Sequence, residues 1–210
     1  MFVISQKTIE RAEKMKLGIF GGTFNPPHIG HLGIVTAIAD SQSLDKVLII
    51  PAATPPHKAA PDLASGEDRL EMCRLTFGVD GRFEVSDIEL QRSGRSYTYD
   101  TLCQIKELYP EDELFLIVGS DMLETFNLWY RYKDILSMCT LLAAAREEDF
   151  TIDLETVFCK TELDKVKFIN IEVTEASSTE IRRCIKDGEG ADRFLTSETV
   201  QYIEKRGLYK

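Results

Sequence analysis

Short apolar runs alternate along this chain with stretches that have helical spacing. Six runs rich in apolar and β-branched residues are predicted as strands, at residues 17–20, 47–50, 83–85, 114–118, 140–144 and 167–173. Residues 67–77 place Leu70, Cys73 and Phe77 on one helical face, and residues 98–108 do the same with Leu102, Ile105 and Leu108. Strands that alternate with helices form parallel sheets covered on both faces. The pattern therefore predicts an α/β fold with a doubly wound parallel sheet, whose ligands bind at the carboxyl ends of the strands.

Length and composition indicate one folded domain in the cytoplasm. A chain of 210 residues with 43% hydrophobic content can bury most of its surface in a single core. The longest apolar runs fall far short of the roughly 18 residues that cross a bilayer, so no membrane segment is predicted. Residues 1–16 lack the basic lead and apolar stretch of a signal peptide, which predicts a cytoplasmic protein. The oligomeric state is left open, and a homo-oligomer is allowed.

Charge and cysteine usage exclude several classes of function. The formal net charge is -10, which repels polyanions and argues against nucleic-acid binding. A phosphate-bearing substrate would therefore need positive charge concentrated locally. The five cysteines form no C-x-x-C pair, so neither a metal site nor a disulfide framework is predicted from them.

A glycine-rich turn follows the first predicted strand. The segment from Gly21 to His31 reads GGTFNPPHIGH and leads into an apolar helical pattern at residues 32–39. Glycines let the backbone approach a phosphate closely, and a helix N-terminus supplies unpaired N–H groups. Two of the three histidines, His28 and His31, can project from this helix entry toward one phosphate. The segment matches neither the dinucleotide fingerprint nor a Walker loop.

Two other interpretations of this turn stay open. Its prolines and histidines would also suit a structural strand-to-helix connection that binds nothing. The two histidines could instead hold a metal ion, although no Cys, Asp or Glu in the loop completes a zinc site. We therefore predict no protein metal site.

The loop carries a resemblance to a known family. It resembles the H-x-G-H signature of the nucleotidyltransferase superfamily, which has a Rossmann-like core. Further segments match in order: PPHK at 55–58, SYTYDTL at 96–102, GSDM at 119–122 followed by Trp129, and SSTEIR at 177–182. Together they resemble the bacterial nicotinate mononucleotide adenylyltransferases from about residue 15 onward. Residues 1–14 would then be an extension without a catalytic role, and residues 15–210 the nucleotidyltransferase domain.

The resemblance implies an enzyme of NAD biosynthesis that joins ATP and nicotinate mononucleotide into nicotinate adenine dinucleotide and releases pyrophosphate. It implies catalytic roles for His28, His31 and Arg182. The residues implied to bind ATP are Gly21, Gly22, Thr23, Phe24, Gly119, Asp121, Ser178 and Thr179. Those implied to bind the pyridine nucleotide are Lys58, Thr98 and Trp129. Mg²⁺ is expected with ATP, held mainly by phosphates and waters.

The C-terminal motif also has a purely structural interpretation. Ser177 and Glu180 have the spacing of a capping box, so the motif would only begin a well-capped helix. The same geometry leaves the N–H groups of Ser178 and Thr179 free to meet a phosphate. Arg182 lies one turn further on and is able to clamp that phosphate.

Three other site residues have structural alternatives as well. Asp121 would serve as a helix N-cap instead of accepting from a ribose. Trp129 would be a core aromatic rather than a platform for the pyridine ring. Lys58 would be an ordinary solvated lysine rather than a phosphate contact. The acidic stretch at residues 147–164 shows no chemical pattern and is predicted as a solvated face.

The expected mechanism is direct transfer without a general base. A phosphate monoester, with a second pKa of about 6, is already ionised at neutral pH. Catalysis would then consist of alignment and charge neutralisation by His28, His31 and Arg182, with Lys58 as a further candidate and the N-terminus of the first helix as a partial charge. One rival is a pantetheine-phosphate adenylyltransferase, whose family carries Thr where His28 stands. Cytidylyltransferases lack the context of Thr98 and Trp129. A pyridine-nucleotide sensor without turnover is the rival from another class.

Overall fold

Six parallel strands form one sheet in the computed structural model, which describes residues 14–53, 62–92, 94–145, 154–171 and 176–210. The strands are β1 (Lys16–Gly22), β2 (Lys46–Pro51), β3 (Phe83–Val85), β4 (Glu113–Gly119), β5 (Cys139–Ala145) and β6 (Val166–Asn170). Their order across the sheet is β3-β2-β1-β4-β5-β6. This order reverses between β1 and β4, so the carboxyl ends of these two strands flank the crevice in which doubly wound folds bind ligands.

Helices connect the strands and continue beyond the last one. In the described part of the chain they are α1 (Ile29–Gln42), α2 (Gly66–Phe77), α3 (Thr98–Leu108), α4 (Tyr132–Met138), α5 (Lys160–Leu163), α6 (Ser178–Asp187) and α7 (Ser197–Arg206). Short 3-10 helices lie at Ser120–Leu128, Leu154–Thr156 and Asp192–Phe194. No helix among the described residues is both long and apolar enough to cross a membrane.

The two faces of the sheet carry separate apolar cores because successive strand residues point in opposite directions. Leu17 and Ile19 of β1 pack on the face that α3 and α4 cover. Phe20 of the same strand packs on the opposite face, together with Val35 of α1 and Phe77 of α2. Both faces are thus buried, as a parallel sheet requires.

Helices α6 and α7 form a further layer outside α2. Met72 of α2 is fully buried against Ile181 of α6 and Ile203 of α7. Packing on α2 brings the N-terminus of α6 to the loop between β1 and α1, where Ser178 contacts Pro26. The apolar faces of two C-terminal helices therefore position part of the candidate site.

The predicted fold class is confirmed, with one Rossmann-like domain and all six strands. Helix α1 begins at Ile29, earlier than the apolar pattern at residues 32–39 indicated. The last strand ends at Asn170, and residues 172–175 lie outside the described residues, as does the predicted extension up to residue 13. Residues 147–153 of the acidic stretch are also outside them. The remainder of that stretch is not wholly a solvated face, because Phe158 is 2% exposed and packs in the core.

Candidate active site

The loop after β1 is shaped by one buried aromatic ring. Phe24 has a φ of +48° and is 2% exposed, and its ring packs against Phe20 and Phe77. A Cβ on Gly22 would lie 2.9 Å from this ring, so only glycine fits there. Phe24 was predicted to bind ATP, and burial of its side chain leaves only its main chain for that role.

The two histidines of the loop cap helix α1 reciprocally. His28 is the N-cap, and its Nδ1 accepts a hydrogen bond from the N–H of His31 at 3.4 Å. The Nδ1 of His31 accepts one from the N–H of His28 at 3.3 Å. The two rings lie 3.7 Å apart between centroids, tilted by 35°. This is a capping box built from two imidazoles.

These contacts set the protonation state of both rings. A nitrogen that accepts a hydrogen bond carries no proton, so each neutral ring holds its proton on Nε2. His28 is 6% exposed, and burial lowers its pKa to about 4. Burial, together with the charge of His28, lowers the pKa of His31 well below its usual value. The expectation that the histidines supply positive charge is corrected here: near neutral pH both are uncharged Nε2–H donors.

Several backbone N–H groups around this loop have no hydrogen-bond partner among the described residues. They are those of Phe24, Ile29 and Gly30. Ile29 and Gly30 occupy the first two positions of α1, where the partial positive charge of a helix N-terminus is concentrated. Phe24 lies between β1 and that helix end. Unpaired N–H groups that follow a glycine-rich turn form the arrangement expected of a phosphate site.

The N-terminus of α6 is left open in a similar way. Ser177 is the N-cap residue, as predicted, but its side chain makes no capping hydrogen bond. The predicted capping box is therefore not formed. The N–H groups of Ser178, Thr179 and Glu180 find no acceptor in the part of the chain that the structure describes. The prediction that Ser178 and Thr179 offer free donors is consistent with this geometry.

Two hydrogen bonds hold the N-terminus of α6 against the loop. The hydroxyl of Ser178 donates to the carbonyl oxygen of Pro26 at 2.9 Å. Nη1 of Arg182 donates to the carbonyl oxygen of Asn25 at 2.8 Å. The Nε of Arg182 is buried, and no hydrogen-bond partner for it exists among the described residues. The structure thus brings Arg182 to the histidine loop, although Arg182 and His28 lie far apart in the sequence.

Asn25 ties the loop to the end of the chain. Its side chain is 3% exposed and donates to the carbonyl oxygen of Asp62 at 2.9 Å. Its Oδ1 accepts from the N–H of Ala64 at 3.0 Å and from the hydroxyl of Tyr209 at 2.7 Å. Sequence analysis missed Asn25 and Tyr209. Asn25 lies inside the recognised loop, whereas no local pattern marks Tyr209.

The end of β4 provides the other wall of the crevice. Asp121 is exposed, and its carboxylate lies over the backbone of Gly119. A Cβ added to Gly119 would lie only 2.5 Å from Oδ1 of Asp121. The N-cap of the following 3-10 helix is Gly119, and no side chain caps it. Asp121 is therefore not an N-cap, which leaves its carboxylate available for a ligand.

The predicted acceptor residues lie along α3 and the segment before α4. Thr98 begins α3, and Trp129 is half-buried with its ring 4.9 Å from that of Phe126. The neighbouring rings of Tyr97 and Tyr130 are 4.9 Å apart, so these two segments lie side by side. Trp129 packs partly in the core, as its structural interpretation indicated. Lys58 lies outside the described residues.

No group of three or more metal-ligating side chains occurs among the residues that the structure describes. The loop and the N-terminus of α6 present N–H donors, imidazole Nε2–H groups and a guanidinium. These groups suit anions, and a cation such as Mg²⁺ requires oxygen ligands instead. The described residues therefore do not fit a protein-bound Mg²⁺ site.

Known proteins are similar to this sequence over nearly its full length. A family model described as cytidylyltransferase-like matches residues 19–184. A probable nicotinate-nucleotide adenylyltransferase of Fusobacterium nucleatum is 36% identical over 192 residues, which are 91% of this chain and 98% of that protein. The nicotinate-nucleotide adenylyltransferase of Bacillus subtilis is 34% identical over 195 residues, which are 93% of this chain and 98% of that protein.

The fold is also similar to solved structures. The Plasmodium falciparum nicotinic acid mononucleotide adenylyltransferase complexed with NaAD superimposes with a TM-score of 0.75 at 22% identity, over 94% of this chain and 98% of that one. A putative nicotinate-nucleotide adenylyltransferase from Vibrio parahaemolyticus superimposes with a TM-score of 0.67 at 22% identity, over 93% of this chain and 95% of that one. At this identity the likeness concerns the fold.

Proposed function

We propose a reaction for this chain from one premise: it belongs to the nicotinate-nucleotide adenylyltransferase family, within the cytidylyltransferase-like nucleotidyltransferases. The reaction transfers the adenylyl group of ATP to nicotinate mononucleotide, giving nicotinate adenine dinucleotide and pyrophosphate in NAD biosynthesis. Its substrates are small molecules, ATP and a pyridine mononucleotide.

One observation carries this proposal: two helix N-termini meet at the loop after β1, and both offer N–H groups without a partner among the described residues. Ser178 and Arg182 of α6 bond directly to that loop. Two such termini, together with the guanidinium of Arg182 at the same loop, offer more donors than a single phosphate needs and suit a polyphosphate. This supports roles in ATP binding for Gly21, Gly22, Thr23, Ser178 and Thr179 and for the main chain of Phe24.

The chemistry needs no base from the protein. An ionised phosphate oxygen of nicotinate mononucleotide attacks the α-phosphorus of ATP, one P–O bond forms, and the bond to the departing pyrophosphate breaks. No proton has to move, because the attacking group has a second pKa near ~6. His28 and His31 donate from Nε2 to oxygens on which negative charge grows. Arg182 adds positive charge, so stabilisation is greatest in the transition state.

The pyridine nucleotide is proposed to lie between α3 and the segment that contains Trp129. The first N–H groups of α3, from Thr98 onward, have no partner among the described residues. Backbone donors favour a carboxylate, which only accepts, over an amide, whose NH₂ would face another donor. Trp129 supplies a ring for stacking, Asp121 accepts from the ATP ribose, and Lys58 is proposed to contact the acceptor phosphate.

Mg²⁺ is proposed to enter as part of the substrate, bound to ATP phosphates and water. Three of the five cysteines are buried and all five are free thiols, which supports a reducing cytoplasmic compartment.

The test measures pyrophosphate release from ATP with nicotinate mononucleotide, nicotinamide mononucleotide and phosphopantetheine in parallel. We expect nicotinate mononucleotide to be preferred over the amide by about 10² to 10⁴ in kcat/KM, because two hydrogen bonds to a charged group are lost with the amide. Equal use of both pyridine nucleotides would remove acid specificity but keep adenylyl transfer. Preference for phosphopantetheine, or binding without release, would replace the proposal with one of its rivals.

Residues 1–14 are proposed to take no part in catalysis. The described chain is tied to the domain from Met15, whose N–H donates to Asp112 at 2.9 Å, and β1 starts one residue later. Deleting residues 1–14 should leave kcat and the melting temperature unchanged. A large fall in melting temperature would show that the extension stabilises the domain.

A further inference from the structure

A buried guanidinium lies directly behind the phosphate loop. Arg69 of α2 is 1% exposed. It makes four hydrogen bonds, all to main-chain carbonyl oxygens: Nη1 to Thr23 at 2.9 Å and Ala52 at 2.7 Å, Nε to Ala64 at 3.1 Å and Nη2 to Ala53 at 3.4 Å. The acceptors belong to the loop after β1, the segment after β2 and the turn before α2. One side chain therefore joins three segments that surround the candidate site.

The positive charge of Arg69 has no ion-pair partner in the described ranges. The neighbouring Asp68 bonds instead to Ser65, Tyr202 and Arg206. Burial lowers the pKa of Arg69, and its electrostatic interactions with Cys73, Tyr209 and Glu89 oppose this only partly. A buried charge without an ion-pair partner is costly unless hydrogen bonds compensate for the water it has lost. The four main-chain hydrogen bonds offset part of this cost, and a polyanion bound at the loop would offset more of it.

The hydrogen bond to Thr23 connects Arg69 to the ligand side of the loop. In a trans peptide the C=O and N–H groups point in opposite directions. The carbonyl of Thr23 faces Arg69, so the N–H of Phe24 faces away from it, and that N–H has no partner among the described residues. A cation at the carbonyl end polarises the peptide and makes its N–H a stronger donor.

We propose that Arg69 is a positioning residue for adenylyl transfer. Its charge strengthens polyphosphate binding through the peptide that joins Thr23 and Phe24, and its planar fork fixes the phosphate loop relative to the end of β2. The two neutral histidines bring no charge of their own, so this buried cation and Arg182 are the fixed charges at the loop within the described residues. The inference rests on the proposed function, because it names how the same site is built.

Two substitutions distinguish the effect of the positive charge of Arg69 from the effect of its planar set of N–H donors. Arg69→Lys keeps the charge, but one ammonium cannot reach acceptors in three segments. We expect it to bind ATP within about 3-fold of the parent while kcat falls about 10-fold or more, because the loop is no longer aligned. Arg69→Met removes both properties, and we expect its Kd for ATP to rise about 10-fold to 10²-fold as well. ATP affinity is measured by calorimetry, and kcat by pyrophosphate release.

Val47→Ala is the matched control. Val47 is fully buried near the amino end of β2, away from the loop, and its truncation leaves a cavity that lowers stability. The control should lower the melting temperature without changing Kd for ATP. If Arg69→Met does not fold, Arg69→Gln takes its place. Parent-like ATP affinity in the uncharged variant, or parent-like kcat in Arg69→Lys, overturns the proposal. A parent that binds ATP but transfers nothing overturns the proposed function, and the affinity comparison still tests Arg69.

Discussion

The N-termini of α1 and α6 lie at the same loop, but only that of α1 is capped by side chains of the described residues. At α1 the protein fills part of its own helix end, since His28 and His31 each accept one backbone N–H. At α6 the sequence has a capping-box pattern, yet Ser177 makes no capping bond and three N–H groups lack a partner among the described residues. The helix with the capping signal is uncapped, and the helix without it is capped by imidazoles.

This difference separates two tasks of an anion site. The histidine cap fixes two side chains in one tautomer, so that their Nε2–H groups are oriented before a ligand arrives. The open end of α6 instead leaves backbone donors for the ligand itself. Preorganised donors act on developing charge, whereas an open helix end binds charge that the ground state already has. The two ends should therefore respond differently to substitution.

The largest effect is expected at the capped end. His31→Asn keeps an acceptor near the Nδ1 position but removes the Nε2–H donor. We expect kcat to fall about 10² to 10³-fold, the usual loss for one preorganised donor to developing charge, while the melting temperature stays close to that of the parent. Pyrophosphate release and thermal unfolding measure the two quantities. A variant that keeps more than half of its turnover would exclude His31 from the transition state.

A smaller effect on chemistry and a clear effect on affinity are expected at the open end. Arg182→Ala should raise KM for ATP about 10-fold and also lower kcat, because the triphosphate is charged in the ground state too. Arg183→Ala is the control, since the neighbouring guanidinium is exposed and pairs with Asp187 and Glu189. Unchanged ATP affinity in Arg182→Ala, or an equal change in Arg183→Ala, would remove the distinction between the two arginines.

The capped end should also make stability depend on pH. The folded pKa of His28 is lowered to about 4 from 6.5, so the unfolded state binds the proton more tightly. The free energy of unfolding therefore has its full contribution from neutral His28 above pH 6.5. It decreases by about 1.4 kcal/mol per pH unit as the pH falls from 6.5 toward 4. Between pH 7 and pH 5.5, His28→Asn should lose about 1 kcal/mol less than the parent in denaturant unfolding. Parallel losses would contradict a buried neutral His28.

The smallest effect is expected at Ser177. Because its side chain makes no capping bond, Ser177→Ala should change the free energy of unfolding by less than about 0.5 kcal/mol, below the usual loss at an N-cap. Ser65→Ala is the matched control, since Ser65 caps α2 by accepting from the N–H of Asp68 at 3.0 Å, and should cost about 1 kcal/mol. Equal costs in denaturant unfolding would show that α6 is capped in solution.

The fold class could be predicted from the amino-acid sequence, and so could the loop at which the candidate site lies. Strands and helices followed from hydrophobic spacing, which is a local property, and the parallel sheet followed from their alternation. The segment from Gly21 to His31 was recognisable because a glycine-rich turn between strand and helix has few other uses. Arg182 followed from its place one turn beyond Ser178 and from the family motif.

The chemical state and the contacts of those residues depend on the packing of distant segments. The neutral state of the histidines depends on their reciprocal hydrogen bonds and on burial, and neither is visible in a pattern of letters. The open end of α6 depends on the position of Ser178 against Pro26, and Tyr209 reaches Asn25 across 184 residues. Arg69 carries no local signal, because its four partners are main-chain carbonyls that any residue provides. Periodicity specifies which face of an element is buried, but the partners of a buried polar group are specified only when distant segments pack together.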